Sequence, residues 1–195
     1  GFSSPALTGI TDSFRINGQE ISPRLLEEIL EQIIPHAEEM SDKPTEFEVL
    51  TAAAYQLFRQ EGCDIAVVEC GMGGDGDSTN VLSSPLLSVI TNVQLDHAGF
   101  LGNSVAEIAI HKAGIIKPGR PVLFGGDHPD ALRIVREKAA AEGSPLTVTD
   151  LSRLTVESFS PDGTELSFAG MGSFHIGLLG TYQLLNAANV LTSVE

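Results

Sequence analysis

Residues 64–70 read DIAVVEC, an apolar run with the length of one β-strand. A strand that is covered on both faces is apolar throughout rather than at alternate positions, so this run predicts a buried strand. LLSVITN at 86–92 has the same texture, and further strands are predicted at 120–124 (RPVLF) and 146–149 (LTVT). Helical segments separate the second, third and fourth of these strands, and another precedes the first. The alternation predicts an α/β fold with three layers, a mostly parallel sheet and helices on both of its faces.

Caps are predicted at Ser22, which precedes Pro23, and at Thr45 and Ser104, each followed three residues later by Glu. Apolar residues recur at helical spacing after the first of these caps. The predicted helices are 23–34, 45–62, 104–116, 129–142 and 181–195. Before the first helix, FRIN at 14–17 followed by Gly18 predicts a short strand and a tight turn. After residue 150, the runs LTVESF, TELSFA and SFHIGLLG predict a small antiparallel cluster of strands.

Composition excludes several classes of protein. The chain has 195 residues, a net charge of -15 and only 11 basic residues, which are scattered, and nucleic-acid binding needs clustered Lys and Arg. No run reaches the roughly 18 apolar residues of a membrane span, and no signal peptide is visible. Cys63 and Cys70 lack metal-type spacing and are expected to be reduced thiols. We expect a cytoplasmic protein with no nucleic-acid or membrane partner; its oligomeric state stays open.

A glycine loop follows the first strand, and residues 71–76 (GMGGDG) match the G-x-G-x-x-G pattern of dinucleotide folds, with Asp96 placed 20 residues later. That pattern requires a helix to begin within the glycines and to point its N-terminus at the phosphates. The next residues, 77–85, are turn-rich and show no helical period. The carboxylate of Glu69, just before the loop, would repel a phosphate. The nicotinamide interpretation is therefore the weaker one.

Glu69 is better explained by a cation. If the strands at 64–70 and 86–92 are parallel neighbours, both end at the carboxyl edge of the sheet, where ligands collect. Glu69 ends the first strand, and Asp96 and His97 follow the second. A carboxylate, an imidazole and phosphate oxygens suit a divalent cation such as Mg2+. The alternatives are a loop anchor or helix cap for Glu69 and a hydrogen-bonded loop histidine for His97.

Five stretches together resemble the bifunctional dihydrofolate synthase/folylpolyglutamate synthase family of the Mur ligase superfamily. They are FRINGQEIS (14–22), PTEFEVLTAAAYQLF (44–58), DIAVVECGMGGDGDSTNV (64–81), SVITNVQLDHAGFLGNSVAEIAIHKAGIIKPGRPV (88–122) and GTYQLLNAANV (180–190). The resemblance implies a central domain like that of P-loop NTPases. It also implies an ATP-dependent amide ligase that adds L-glutamate to dihydropteroate or folate through an acyl phosphate.

The resemblance also implies roles for single residues. Glu69 and His97 correspond to protein ligands of the magnesium ions, with Asp96 beside them as a catalytic residue. Lys112 resembles a lysine that CO2 carbamylates, which turns a cation into a carboxylate; the alternative is an ordinary surface lysine.

Two further pairs are implied in the same way. Gln183 and Asn186 resemble a Q-x-x-N pair near the nucleotide, with a helix cap or a packing role as the alternatives. Ser4 and Pro5 resemble a segment near the pterin pocket, in which Ala6 stands where the family has histidine.

Several departures from the family leave alternatives open. The family usually has Arg and a bulky apolar residue where this chain has Asp75-Gly76, Tyr182 replaces a common histidine, and no G-x-x-G-K-[ST] loop occurs.

The chain also lacks an initiating Met, and its last helical pattern continues to Glu195. These features predict an incomplete central ATPase/ligase domain over 1–195, inactive alone, with the phosphate loop upstream and a ligase domain downstream. The alternatives are a non-catalytic binding protein derived from the ligase fold, or a Mur ligase acting on another carboxylate. Whether the parent makes dihydrofolate, polyglutamate or both stays open.

Overall fold

The computed structural model describes residues 1–95 and 101–195, which divide into two units, Gly1–Leu82 and Ser83–Glu195. Each unit buries its own apolar core. In the described ranges, every helix is too short or too polar to cross a bilayer.

The first unit is built from a short hairpin and two helices. Its elements are a 3-10 helix (Ile10–Ser13), β1 (Arg15–Ile16), β2 (Gln19–Glu20), α1 (Pro23–Glu39) and α2 (Glu46–Gln60). The strands β1 and β2 are antiparallel. Asn17 and Gly18 join them with φ angles of 50° and 79°, a left-handed turn that suits these two residue types. The hairpin predicted from the sequence is confirmed.

Both helices of the first unit begin as their caps predict. The Ser22 side chain accepts the Leu25 N–H, and Thr45 and Glu48 form a complete capping box. The predicted end of α1 at residue 34 is wrong, because the helix continues through Pro35 to Glu39. A proline this close to a helix end removes only one hydrogen bond of the final turns, so the helix is not forced to stop there.

The segment 64–70 does not have the predicted coverage on both faces. Within 1–95 and 101–195, its one bridge is a parallel one between Val68 and Phe2, with the Phe2 N–H donating to the Val67 carbonyl at 2.9 Å. Val68 packs on the core of the unit, whereas Ile65 and Val67 are 69% and 74% exposed. The conditional pairing of this segment with 86–92 would join the two units, and it stays a prediction. Apolar composition shows that a run can be buried, but it does not identify the partner.

The second unit carries the sheets and the remaining helices. Its main elements are β3 (Ser88–Ile90), α3 (Val105–Ala113), β4 (Val122–Phe124), α4 (Pro129–Ala141), β5 (Leu146–Val148), β6 (Leu154–Ser160), β7 (Gly163–Phe168), β8 (Gly172–Ile176) and α5 (Tyr182–Ser193). The strands β3, β4 and β5 form a parallel sheet in that order, and β6, β7 and β8 form an antiparallel sheet. The predicted α/β class with an antiparallel cluster after residue 150 is confirmed.

Two cores hold the second unit together. One lies around β4, which is buried along its length, and includes apolar residues of α3 and α4. The other joins the antiparallel sheet to α5 through Leu166, Phe168, Ala188 and Leu191. As a result, α5 packs close to both the antiparallel sheet and β4.

Candidate functional site

Ser4, Pro5 and Glu69 lie together in the first unit. The Ser4 N–H donates to Glu69 Oε2 at 3.2 Å, and the Ser4–Pro5 peptide bond is cis. The pairing of Phe2 with the segment 67–69 brings these residues close, because the Glu69 N–H also donates to the Phe2 carbonyl at 2.9 Å. Glu69 therefore does act as a loop anchor. An anchored carboxylate still has lone pairs for another ligand, since it has about four acceptor positions.

These residues line an open depression of about 390 Å³. Its other lining residues are Ser3, Leu7, Asp12 and Arg15. Arg15 donates to Asp12 at 2.5 Å, and the Leu7 N–H donates to the second oxygen of Asp12 at 3.2 Å. The Leu7 hydrogen bond, followed by that of Arg15, lowers the pKa of Asp12. Arg15 is the one basic side chain among these lining residues.

The glycine loop after Glu69 is organised by a carboxylate that sequence reasoning missed. Asp77 accepts hydrogen bonds from the Met72 N–H at 2.8 Å and from the Thr79 N–H at 2.9 Å. Residues 71–82 contain no helix, which confirms that no helix N-terminus begins in these glycines. The signal for Asp77 was an Asp-x-Thr sequence, because Asp side chains bond the backbone two residues on.

Two residues of α2, Tyr55 and Phe47, lie against this loop. The Tyr55 hydroxyl of α2 donates to the Thr79 carbonyl at 2.7 Å. Burial, and then the charges of Cys70 and Asp77, raise the pKa of that hydroxyl. A methyl group on Gly71 would lie 2.6 Å from the Phe47 ring, so a larger residue at this position would require the ring to move.

Lys112 lies in the last turn of α3 and is half-buried. Its carbonyl accepts the N–H of Gly114, the C-cap residue. A cation is favourable at this end of a helix because of the helix dipole, whereas a carbamate would place a negative charge there. The carbamylation of Lys112 therefore needs a cation close by to offset the dipole, and it stays a prediction.

Gln183 and Asn186 are brought together in the first turns of α5. Asn186 Nδ2 donates to Gln183 Oε1 at 2.9 Å. Thr181 is the N-cap residue of this helix, which excludes a capping role for either member of the pair. Asn186 is exposed and Gln183 is half-buried, so both amides retain polar surface for a ligand.

Comparison with known protein families shows to which family the chain belongs. The model of the Mur ligase middle domain matches residues 25–194. The chain belongs to the Mur ligase middle-domain family.

Individual relatives of this Mur ligase domain are folate enzymes. A dihydrofolate synthase/folylpolyglutamate synthase of Bacillus subtilis is 35% identical over 204 residues, which cover 100% of this chain and 47% of the relative. A folylpolyglutamate synthase of Mycobacterium tuberculosis, complexed with ADP and AMPPCP, superimposes with a TM-score of 0.88 at 31% identity, covering 100% of this chain and 47% of that one. A folylpolyglutamate synthase complex with AMPPCP and folate gives a TM-score of 0.84 at 34% identity, covering 98% of this chain and 49% of that one. The Mur ligase domain thus spans about half the length of these relatives.

Of the residues proposed for the metal site, the structure describes Glu69. Asp96 and His97 lie outside the described residues. Within 1–95 and 101–195, no three His, Cys, Asp or Glu side chains converge as metal ligands do. Glu69 fits as one oxygen ligand, because Mg2+ usually binds one or two carboxylates and completes its shell with waters and phosphate oxygens.

Proposed function

We propose that this protein is an ATP-dependent amide ligase that joins L-glutamate to the carboxylate of dihydropteroate or folate in the cytoplasm. One observation carries the proposal: Ser4, Pro5 and Glu69 converge on one depression in a chain that matches folylpolyglutamate synthases along its whole length. The depression provides Arg15 for a substrate carboxylate and apolar surface on Leu7 and Pro5 for a ring system.

The proposed chemistry has two steps. An oxygen of the substrate carboxylate attacks the γ-phosphorus of ATP, so that ADP leaves and an acyl phosphate forms. The amine nitrogen of glutamate then attacks the acyl carbon, phosphate leaves with one carboxylate oxygen, and the amine loses a proton. Phosphorylation converts a poor leaving oxygen into a good one. Bound Mg2+ supplies positive charge that stabilises the transferred phosphoryl group.

The chain's own side chains have distinct tasks in this proposal. Glu69 and His97 would hold the magnesium ions, and Asp96 would act as a catalytic residue. Gln183 and Asn186 present amide groups to the nucleotide. Lys112, when carbamylated, adds a carboxylate on the metal side.

A non-catalytic binding protein is the second candidate. The observation that favours it is the sequence Asp75-Gly76, which puts a carboxylate where the family has a cation; the Asp75 side chain accepts the Gly76 N–H at 2.8 Å. Such a protein binds folate without consuming ATP, and turnover therefore separates the two candidates.

The test is a ligation assay on the full-length gene product that contains these 195 residues. The protein is incubated with ATP, Mg2+, L-glutamate and, in separate reactions, dihydropteroate, a reduced folate or a peptidoglycan precursor. We expect one ADP per glutamylated product with a folate-type acceptor, and transfer of 18O from a labelled acceptor carboxylate to phosphate. Folate binding without ADP release would show that the protein is a non-catalytic folate-binding protein. Ligation of the peptidoglycan precursor alone would show that the enzyme acts on a different carboxylate.

A further inference from the structure

Asn189 is a buried amide of α5 with an incomplete set of hydrogen bonds. The residue is 2% exposed. Its Nδ2 donates to the Thr91 carbonyl at 3.2 Å, whereas Oδ1 has no partner among the described residues. A buried polar atom without a partner costs free energy, so its retention requires an explanation.

The carboxyl ends of two strands hold this amide. Thr91 directly follows β3, and Gly125 directly follows β4 and donates its N–H to the Ile90 carbonyl at 2.9 Å. A methyl group on Gly125 would overlap Cγ, Oδ1 and Nδ2 of Asn189. The glycine and the amide are therefore a matched pair, in which the absent side chain of one leaves room for the other.

Asn189 also completes a polar row along α5. Gln183, Asn186 and Asn189 are three residues apart, and side chains at this spacing are neighbours on a helix. Asn186 and Gln183 hydrogen bond to each other near the surface, and Asn189 lies at the buried end of the row. The row therefore extends from the proposed nucleotide pair to the ends of β3 and β4.

We propose that Asn189 is a positioning residue for the nucleotide pair: its bond to Thr91 fixes α5 on the strand ends, so that Gln183 and Asn186 face ATP in one orientation. This inference rests on the proposed ATP-dependent function. An apolar side chain of equal volume would fill the same space without an unpaired atom of its own, but it would leave the Thr91 carbonyl without this donor. What the amide adds is therefore the directional bond to Thr91, not the packing.

The test separates that bond from the packing. In the full-length gene product, Asn189→Ala is compared with the double variant Asn189→Ala/Gly125→Ala. The new methyl group at position 125 occupies the space left by the amide. Binding of AMPPCP with Mg2+ and of a reduced folate is measured by calorimetry, and the melting temperature is measured alongside. We expect the double variant to recover the melting temperature that is lost in Asn189→Ala. In both variants, we expect the Kd for AMPPCP to rise about tenfold, which corresponds to about 1.4 kcal/mol, with the Kd for folate unchanged.

Recovery of AMPPCP affinity together with the melting temperature would show that Asn189 acts only by packing, and would overturn the inference. If the double variant remains less stable than the wild type, Asn189→Leu separates the bond to Thr91 from packing in the same way, because its apolar side chain is of similar size. Thr192→Ala is the matched control, because its hydroxyl bonds only the Ala188 carbonyl within α5, at 2.7 Å. A wild-type protein that binds AMPPCP but does not ligate would refute the proposed function and leave this comparison valid. A wild-type protein that does not bind AMPPCP would overturn both the proposed function and the inference about Asn189.

Discussion

Glu69 combines an anchoring role with a proposed metal-binding role in one carboxylate. Glutamine at this position keeps an oxygen for the Ser4 N–H but has no charge for Mg2+. We predict that Glu69→Gln in the full-length gene product lowers ligation by more than about 100-fold, since even the partners behind a metal ligand cost roughly 10–100-fold when mutated. The melting temperature is expected to stay within about 2 °C, because the loop anchor is kept. Initial rates over a Mg2+ titration measure the effect.

Glu61→Gln is the control for this change, because Glu61 is an exposed carboxylate close to the start of the same segment. It removes the same charge without touching Ser4. Equal rates for Glu69→Gln and Glu61→Gln at every Mg2+ concentration would restrict Glu69 to its structural role.

The glycine loop is the element that shapes the region after Glu69, and its order depends on Asp77. Three hydrogen bonds converge on this carboxylate, from the Met72 N–H, the Thr79 N–H and the Thr79 hydroxyl. Asp77→Ala leaves these donors without their acceptor, so we predict a loss of about 1–3 kcal/mol in the free energy of unfolding. Hydrogen exchange should accelerate at the Met72 and Thr79 amides. Ser78→Ala, one position away, should change neither measurement; an unchanged exchange rate in Asp77→Ala would show that other contacts hold the loop.

Local signals predicted the elements better than they predicted their partners. The turn at Asn17-Gly18 and the caps at Ser22, Thr45 and Ser104 depend on atoms a few residues apart, and all appear in the structure. The coverage of 64–70 depends on residues far along the chain, and composition alone misassigned it. The glycines before Asp77 match a phosphate-loop pattern, and that pattern does not encode the Asp-x-Thr turn that organises the loop.

For the whole molecule, the order of helices and strands predicted the parallel sheet and the antiparallel cluster, and the family match agrees with both. The sequence predicted four parts of the candidate site. They are the metal site of Glu69 and His97 with Asp96, the carbamylated Lys112, the pair Gln183 and Asn186, and the pair Ser4 and Pro5. The structure joins Ser4 to Glu69 and Gln183 to Asn186 by hydrogen bonds. Asp96 and His97 lie outside the described residues. A metal site made from separate segments depends on how the loops close, which periodicity does not encode, and this part stays a prediction.

The absence of a G-x-x-G-K-[ST] stretch from these 195 residues leads to a prediction about the chain as a whole. Backbone N–H groups of a glycine-rich loop, at the N-terminus of a helix, are what surround the phosphates in many ATP-dependent enzymes. We predict that the 195 residues alone release no ADP above the blank with ATP, Mg2+, L-glutamate and a folate acceptor, whereas the full-length gene product does. A cooperative thermal transition, followed by circular dichroism, verifies that the 195-residue chain is folded under the assay conditions. Glutamate-dependent ADP release by this chain alone would mean that other residues, within these 195, hold the phosphates.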